Sequence, residues 1–380
     1  MARLKTDWIL FTAILLMTGF GIVMVYSASS AAAEPFYHVP PYYFALHQLV
    51  FAAISFVALM WFKRFDYRRM NTPAWAFSGL GIVLGALLLV YIADSHTHRW
   101  FRIPGVGSLQ PSEFAKPALI LFLAYFVSRH AQTINEFGTL KQAGLAVIML
   151  MMLVIVADLG TAMVPVLTAV IVFWVAGLKK KYMFYIFLAG FLVCSAAVAR
   201  RGYRLGRVIA YVDADYSLIN SIDRHHWIQS YVQRSTSIRD ASYQPRQAKI
   251  AVGAGGVFGA GLMQSKQKMM FLPEAHTDFI YATIGEEFGL AGSSAVLIGF
   301  LVLLWRGARL FLVAREDFGR YLALGVTVTI ILQALMNMTV VLGMAPTKGF
   351  PLPMISFGGS SLLSTLASLG MLLSVSEHEG

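Results

Sequence analysis

Residues 143–178 read AGLAVIMLMMLVIVADLGTAMVPVLTAVIVFWVAGL, with Asp158 as the one charged side chain. As a single helix the segment would run roughly 54 Å at about 1.5 Å per residue, against a hydrocarbon core of about 30 Å. It is too long for one crossing, and Asp158-Leu159-Gly160 offers the natural break, so a hairpin of two crossings is expected. The whole chain repeats that character. Of its 380 residues 58% are hydrophobic and 13% charged, too apolar for an ordinary soluble domain.

Working outward from the hairpin, ten apolar runs approach the length of a membrane crossing: Ile9 to Tyr26, Ala45 to Phe62, Ala76 to Ala93, Phe114 to Val127, Ala143 to Ala157, Gly160 to Leu178, Met183 to Ala199, Phe288 to Trp305, Tyr321 to Leu342 and Met354 to Ser374. The expected fold is an all-α polytopic integral membrane protein of about ten transmembrane helices. One transmembrane domain, residues 1–380, includes a long extracytoplasmic loop, 200–277, between spans seven and eight. The first run is read as a span and not as a cleaved signal. The alanines before Glu34-Pro35 and the Pro40-Pro41 pair read as loop.

Basic residues set the orientation. Arg3, Lys5, Lys63, Arg64, Arg68, Arg69, Lys179 to Lys181, Arg306, Arg309, Arg315 and Arg320 fall on one side if ten crossings begin in the cytoplasm, which puts both termini inside. The same bias explains much of the +11 net charge without invoking nucleic acid, and makes anionic membrane lipids the plainer partner. Residues 200–277 hold eleven Lys and Arg against five Asp and Glu, against the usual trend for an outer loop. Those charges are either a solvated face or, nearest the membrane, contacts for a phosphate-bearing substrate. The lone Cys194 lies in an apolar run, so neither a disulfide framework nor a thiol metal site is expected.

Several polar constellations stand near the outer face. Gly253 to Gly261 is rich in glycine but is neither a Walker loop nor a dinucleotide fingerprint; it serves close packing or hinge motion, or turns backbone N–H groups toward an anion, with Lys266 and Lys268 close behind. His276-Thr277-Asp278 opens the eighth span. Asp278 there is either a helix N-cap or, with Glu274, Glu286 and Glu287 nearby, a working acid able to take a proton from an attacking hydroxyl. Glu113 and Lys116, one helical turn apart, suit an internal ion pair. Asp158 is a turn residue or a second acid facing a cavity. Residues 346–361, with three prolines, Lys348, Ser356 and paired glycines, break helix at the outer face, as is tolerated where backbone lines a cavity.

In these motifs the chain resembles the SEDS family (shape, elongation, division and sporulation), the polytopic peptidoglycan glycosyltransferases that include FtsW and RodA. The resemblance runs through Tyr26-Ser27-Ala28-Ser29-Ser30, Arg99-Trp100-Phe101, Gln110 to Lys116, Asp158-Leu159-Gly160-Thr161, the glycine segment, Leu272 to Ile280, Gly285 to Gly289 and Pro346 to Ser361. Pro346-Thr347-Lys348-Gly349 is similar to the division branch, FtsW, more than to RodA; one departure is Val156-Ala157, where the family commonly has glutamine-proline.

The resemblance implies an inverting polymerase of lipid II, acting in septal wall synthesis at the bacterial inner membrane on its extracytoplasmic side. Asp278 would be the general base, and undecaprenyl pyrophosphate the leaving group. Lys268, Lys266, Arg246 and Lys116 would surround the pyrophosphate, and Glu113, His276, Glu274, Asp158, Lys348 and Ser356 would complete the substrate site. Implied partners are lipid II, the growing lipid-linked glycan, a class B penicillin-binding protein and other division proteins. The resemblance leaves room for a divalent cation, magnesium or manganese, although no dedicated metal site is legible. An elongation polymerase of RodA type and a lipid II flippase are the alternatives.

Overall fold

The computed structural model describes residues 6–94, 99–103, 107–212, 231–232, 238–269 and 271–379. Among them are twelve α-helices: α1 (Trp8–Tyr37), α2 (Tyr43–Arg64), α3 (Pro73–Ala93), α4 (Pro111–His130), α5 (Phe137–Ala157), α6 (Leu159–Val175), α7 (Lys180–Ala199), α8 (Gly202–Val212), α9 (Ile238–Ala254), α10 (Ile280–Val313), α11 (Asp317–Val341) and α12 (Gly359–His378). Each of the ten apolar runs overlaps one of these helices. Eight helices, α1, α2, α3, α5, α7, α10, α11 and α12, are long and apolar enough to cross a membrane. Helix α6 is shorter, at 17 residues. Helix α4 carries Glu113, Lys116 and Arg129 but is buried along nearly its whole length, and a helix screened from lipid needs no apolar exterior.

Two apolar clusters form the interior. One joins α1, α2, α10, α11 and α12 through residues such as Met24, Leu59, Phe300, Leu322 and Leu366. The other joins α3, α4, α5 and α6 through Leu87, Phe122, Leu150 and Phe173. Helices α4 and α11 stand between the two and touch both. Helix α7 buries none of its residues. Because lipid tails are as apolar as leucine, close packing and polar contacts hold such a bundle together more than burial from water does.

Both termini lie at one end, where Thr6 and Lys63 reach Glu377, Arg306 pairs with Asp7 at 2.6 Å, and Arg68 pairs with Glu316 at 2.9 Å. The opposite end holds the α5–α6 turn, α8, α9 and the connections before α10 and α12. A short antiparallel pair, Phe101–Ile103 with Gly107–Leu109, also lies there and brings Arg99 and Trp100 beside Gln110.

Two sequence expectations are corrected, and one open point is filled in. The alanines after Ser30 are helix and not loop: nothing in Ala31–Glu34 breaks a helix, and α1 runs on to Tyr37, where His38 in a left-handed conformation closes it. The fold of the polar stretch 200–277, which the sequence left open, includes α8 and α9; residues 213–230, 233–237 and 270 of that stretch fall outside the described residues. His276-Thr277-Asp278 does not begin a helix: Phe279 is the N-cap of α10, and no side chain caps that end.

Helix α10 is broken at Gly289 (φ 63°, ψ −156°), a left-handed backbone that suits glycine. The glycine segment is spliced into the break. Ala260 and Gly261 donate to the carbonyls of Glu286 and Glu287, while the N–H groups of Leu290 and Ala291 donate to Gly256 and Val257. Those four groups would otherwise have bonded one another along the helix, so the inserted loop satisfies what the break exposes. The arm beyond the break, 290–313, is still about 36 Å long and spans the hydrocarbon core.

Gly259, at φ +82°, would carry its Cβ only 2.1 Å from the Glu287 carbonyl, whereas a Cβ on Gly253 meets nothing within 4 Å. Gly259→Ala is therefore expected to lower the thermal unfolding temperature of the detergent-solubilised protein, by the equivalent of about 1–3 kcal/mol for overpacking alone. Gly253→Ala, inside α9, should leave it unchanged or slightly raised. Equal effects of the two would contradict the splice.

Candidate active site

Asp278 sits just ahead of α10, where the chain cannot be regular because it must meet a second irregular strand, residues 346–358. Prolines 346, 351 and 353 deny that strand backbone donors, so its carbonyls are met by side chains. The two strands are stitched together. Ser356 donates to the Thr277 carbonyl at 2.6 Å and accepts from Leu352 N–H at 2.7 Å; Phe357 N–H donates to the His276 carbonyl at 2.9 Å. Asn337 of α11 donates to the carbonyls of Asp278, at 2.7 Å, and Phe350, at 2.5 Å.

The outcome is that the Asp278 carboxyl lies flat against Gly349, so close that a Cβ there would stand 2.1 Å from Oδ2. Burial pushes this carboxyl up to about 7; the negative charges of Glu274 and Asp158 push the same way, and Lys348 and Arg207 oppose them. Asp158 goes the other way. It is also buried, but Lys348 and Arg99 outweigh that cost, helped by the Gly160 N–H, and hold it below the usual carboxylate range. One acid is thereby poised to exchange a proton near neutrality and the other stays ionised.

Asp278 faces two adjoining cavities of about 270 and about 660 Å³, both lined by Arg99, Asp158, Glu274, Asp278 and Gly349. The smaller adds Tyr203, Arg207, Gln244 and Lys348; the larger adds Trp100, Gln110, Glu113, His276 and an aromatic wall of Tyr37, Tyr43, Phe44 and Phe357. A third cavity of about 300 Å³ meets the smaller one at Tyr203, Arg207, Thr347 and Lys348 and is lined by apolar Met163, Val198, Val208, Met336 and Phe350. Lys348 ion-pairs with Asp158, and Arg99 stands 3.6 Å from its other oxygen. Arg207 donates to the Thr347 carbonyl at 3.4 Å and forms no ion pair among the described residues.

Of the residues singled out in the sequence, Asp278, Asp158, Glu274, Lys348, Glu113 and His276 line these cavities. Glu274 is exposed and accepts from Thr277 at 2.8 Å. His276 is packed among Tyr37, Phe44 and Phe357, and burial lowers its imidazole below the ordinary value against the pull of Glu274. Asp158 fills both roles open to it, capping α6 through Gly160 N–H at 2.9 Å while facing the chamber.

The remaining candidates lie elsewhere. Lys116 stands behind the chamber, 2.7 Å from Glu113 and 2.7 Å from Gln333 Oε1. Ser356 is spent on stitching the two strands. Lys268 pairs with Glu287 at 2.7 Å, with side chains 2% and 0% exposed, also donates to Ser27, and lines a separate cavity of about 360 Å³ together with Tyr37, Glu274 and His276. Lys266 and Arg246 are exposed and line none of these cavities. Arg99 and Arg207, with Lys348, are the cations that line the smaller cavity beside Asp278. Arg99 was visible as a motif and Arg207 only as one charge among many; the nearness of either to Asp278 was not. Among the described residues no three His, Cys, Asp or Glu side chains converge closely enough to hold a metal ion, so the magnesium or manganese that the resemblance allows finds no ready-made ligand set here.

The sequence profile of the FtsW, RodA and SpoVE family, a family described as cell cycle protein, matches residues 7–380. The chain belongs to this family. It is 37% identical over 387 residues to the probable peptidoglycan glycosyltransferase FtsW of Geobacter metallireducens, covering 98% of this chain and 95% of that one. It is 34% identical over 383 residues to stage V sporulation protein E of Bacillus subtilis, covering 99% and 98%. The fold is similar to a chain in a solved peptidoglycan synthase complex (TM-score 0.75, 24% identity, 99% of each chain covered). It is also similar to the rod shape determining protein RodA of Thermus thermophilus (TM-score 0.67, 23% identity, 98% and 97% covered).

The placement of Lys268 carries its own test. Removing one partner of a sealed ion pair leaves a buried charge, so Lys268→Met is expected to destabilise the protein by about 3–5 kcal/mol, and the double change with Glu287→Leu to recover most of that. Thermal unfolding in detergent measures both. A single variant with wild-type stability would contradict the structural role.

Proposed function

We propose that the chain polymerises lipid II into glycan strands at the outer face of the bacterial inner membrane, in septal wall synthesis during cell division. The observation that carries this reading is one carboxyl, Asp278, poised near neutrality between two cavities, with Arg99, Arg207 and Lys348 beside it. Family membership and full-length similarity to proteins named as peptidoglycan glycosyltransferases support it.

The sugar 4-hydroxyl of one lipid-linked molecule attacks the anomeric carbon of the other. The new C–O bond forms as the bond to undecaprenyl pyrophosphate breaks, with inversion, and the hydroxyl proton passes to Asp278. A general base works best with a pKa near the operating pH. The departing pyrophosphate gains negative charge, which Arg99, Arg207 and Lys348 are disposed to stabilise as it develops. Asp158 holds two of these cations in register. The apolar cavity that begins at Arg207 and Lys348 suits the start of the polyprenyl tail.

The basic end bearing both termini faces the cytoplasm by the same reading. A class B penicillin-binding protein is the proposed partner, cross-linking the strands made here. Any divalent cation would be held chiefly by the substrate's own phosphates.

Purified protein given lipid II, with and without that partner, tests the reading. Wild type should make polymer, and Asp278→Asn should lose at least about 10²-fold of the rate, the lower range of what general-base catalysis contributes. Arg207→Ala should weaken turnover far more than it lowers the thermal unfolding temperature, since that side chain forms no ion pair among the described residues and loses only a long hydrogen bond to Thr347 and a contact with the Tyr203 ring. Undiminished polymer from Asp278→Asn would remove the base role. No polymer from wild type under any condition would favour lipid transport.

A further inference from the structure

Asn337 is only 2% exposed, and its amide nitrogen serves two carbonyls from different strands, those of Asp278 and Phe350. Two acceptor partners fix the amide's orientation, because its oxygen could bond neither. That oxygen is consequently left buried with no partner. A buried polar atom without a partner is a standing cost, and it calls for an explanation beyond filling space. One turn earlier on α11, Gln333 repeats the device: it accepts from Lys116 and donates to the Pro351 carbonyl at 2.8 Å. Successive carbonyls of the proline-rich strand thus hang from two amides on one helix face.

The geometry points to Asn337 as the positioning residue of Asp278, the side chain that clamps the acid's own backbone to the strand bearing Gly349 and so keeps that strand pressed against the carboxyl. Ser356 and the Phe357 N–H also join the two strands, but at Thr277 and His276; Asn337 holds Asp278 itself. It need not touch substrate to act. Without the clamp, Gly349 can draw back and more water can reach the carboxyl, which then ionises more readily and is less well aimed. The charged and titratable groups around Asp278 are Glu274 on its own strand, Asp158 and Arg99, Lys348 on the proline-rich strand, Arg207 on α8 and His276; none of them is altered by a change at 337.

The inference rests on the proposed role of Asp278 as base, and the experiment separates the two. Steady-state polymerisation across a pH series is measured for wild type, Asp278→Asn and Asn337→Leu, which nearly keeps the volume and removes the amide. A base must be deprotonated, so the rate rises with pH through its pKa. Asn337→Leu is expected to lower kcat by about 10²-fold, the scale of a small misplacement, with KM little changed and the acid limb moved to lower pH. An inactive Asp278→Asn together with an Asn337→Leu acid limb at the wild-type position would overturn the positioning role. An active Asp278→Asn would instead defeat the base assignment. If Asn337→Leu is not recovered folded, Asn337→Ser, whose one hydroxyl proton serves only one of the two carbonyls, is read by the same criterion.

Discussion

The close contact between the Asp278 carboxyl and the Gly349 backbone is the constraint on which the rest of the site depends. A carboxylate in water ionises well below neutrality, and loss of water, with the negative charges of Glu274 and Asp158 acting the same way, lets this one hold a proton near pH 7. That loss has to be imposed by backbone placed within van der Waals reach. The fold does so with two irregular strands that could not survive in lipid, held together by side chains from helices that can. Proline and glycine make the second strand, and α11 supplies the amides that keep it in place.

Ion pairs divide by the same physics. Glu113 with Lys116 and Lys268 with Glu287 are sealed inside the bundle, where each charge is tolerable only because its partner and further hydrogen bonds are present. Through its further bond to Gln333, Lys116 ties α4 to α11, and Lys268 ties the chain ahead of α10 to Ser27 of α1 and Glu287 of α10. Around Asp158 the arrangement differs: Lys348 and Arg99 both reach one carboxylate at a cavity wall and not inside the bundle. With Arg207 beside them, the chamber sets three cations beside one acid that is easily protonated.

Much of this was legible in the sequence because lipid imposes strict rules. The hairpin at Asp158 follows from length alone, and the Glu113–Lys116 pair from helical spacing. Asp278 stood out as an acid where acids are costly. Less legible was everything decided by contacts distant in sequence. The pairing of Lys268 with Glu287 and Ser27 was hidden, because those partners are reached only through tertiary packing. Arg207 was indistinguishable from solvated charge until α8 placed it against Thr347. Asn337 carries no charge and fits any membrane helix, so nothing local marked it, and Gly349 stood in a motif that gave no sign of its contact with Asp278.

The most direct test of the account is an infrared titration of the Asp278 carboxyl in the intact, detergent-solubilised protein, isolated as the difference between wild type and Asp278→Asn. The account predicts that its protonated carbonyl band disappears with a midpoint near 7. A midpoint near the ordinary carboxylate value of 3.8 would mean that water reaches the acid freely, and would contradict the constraint from which the chemistry has been derived.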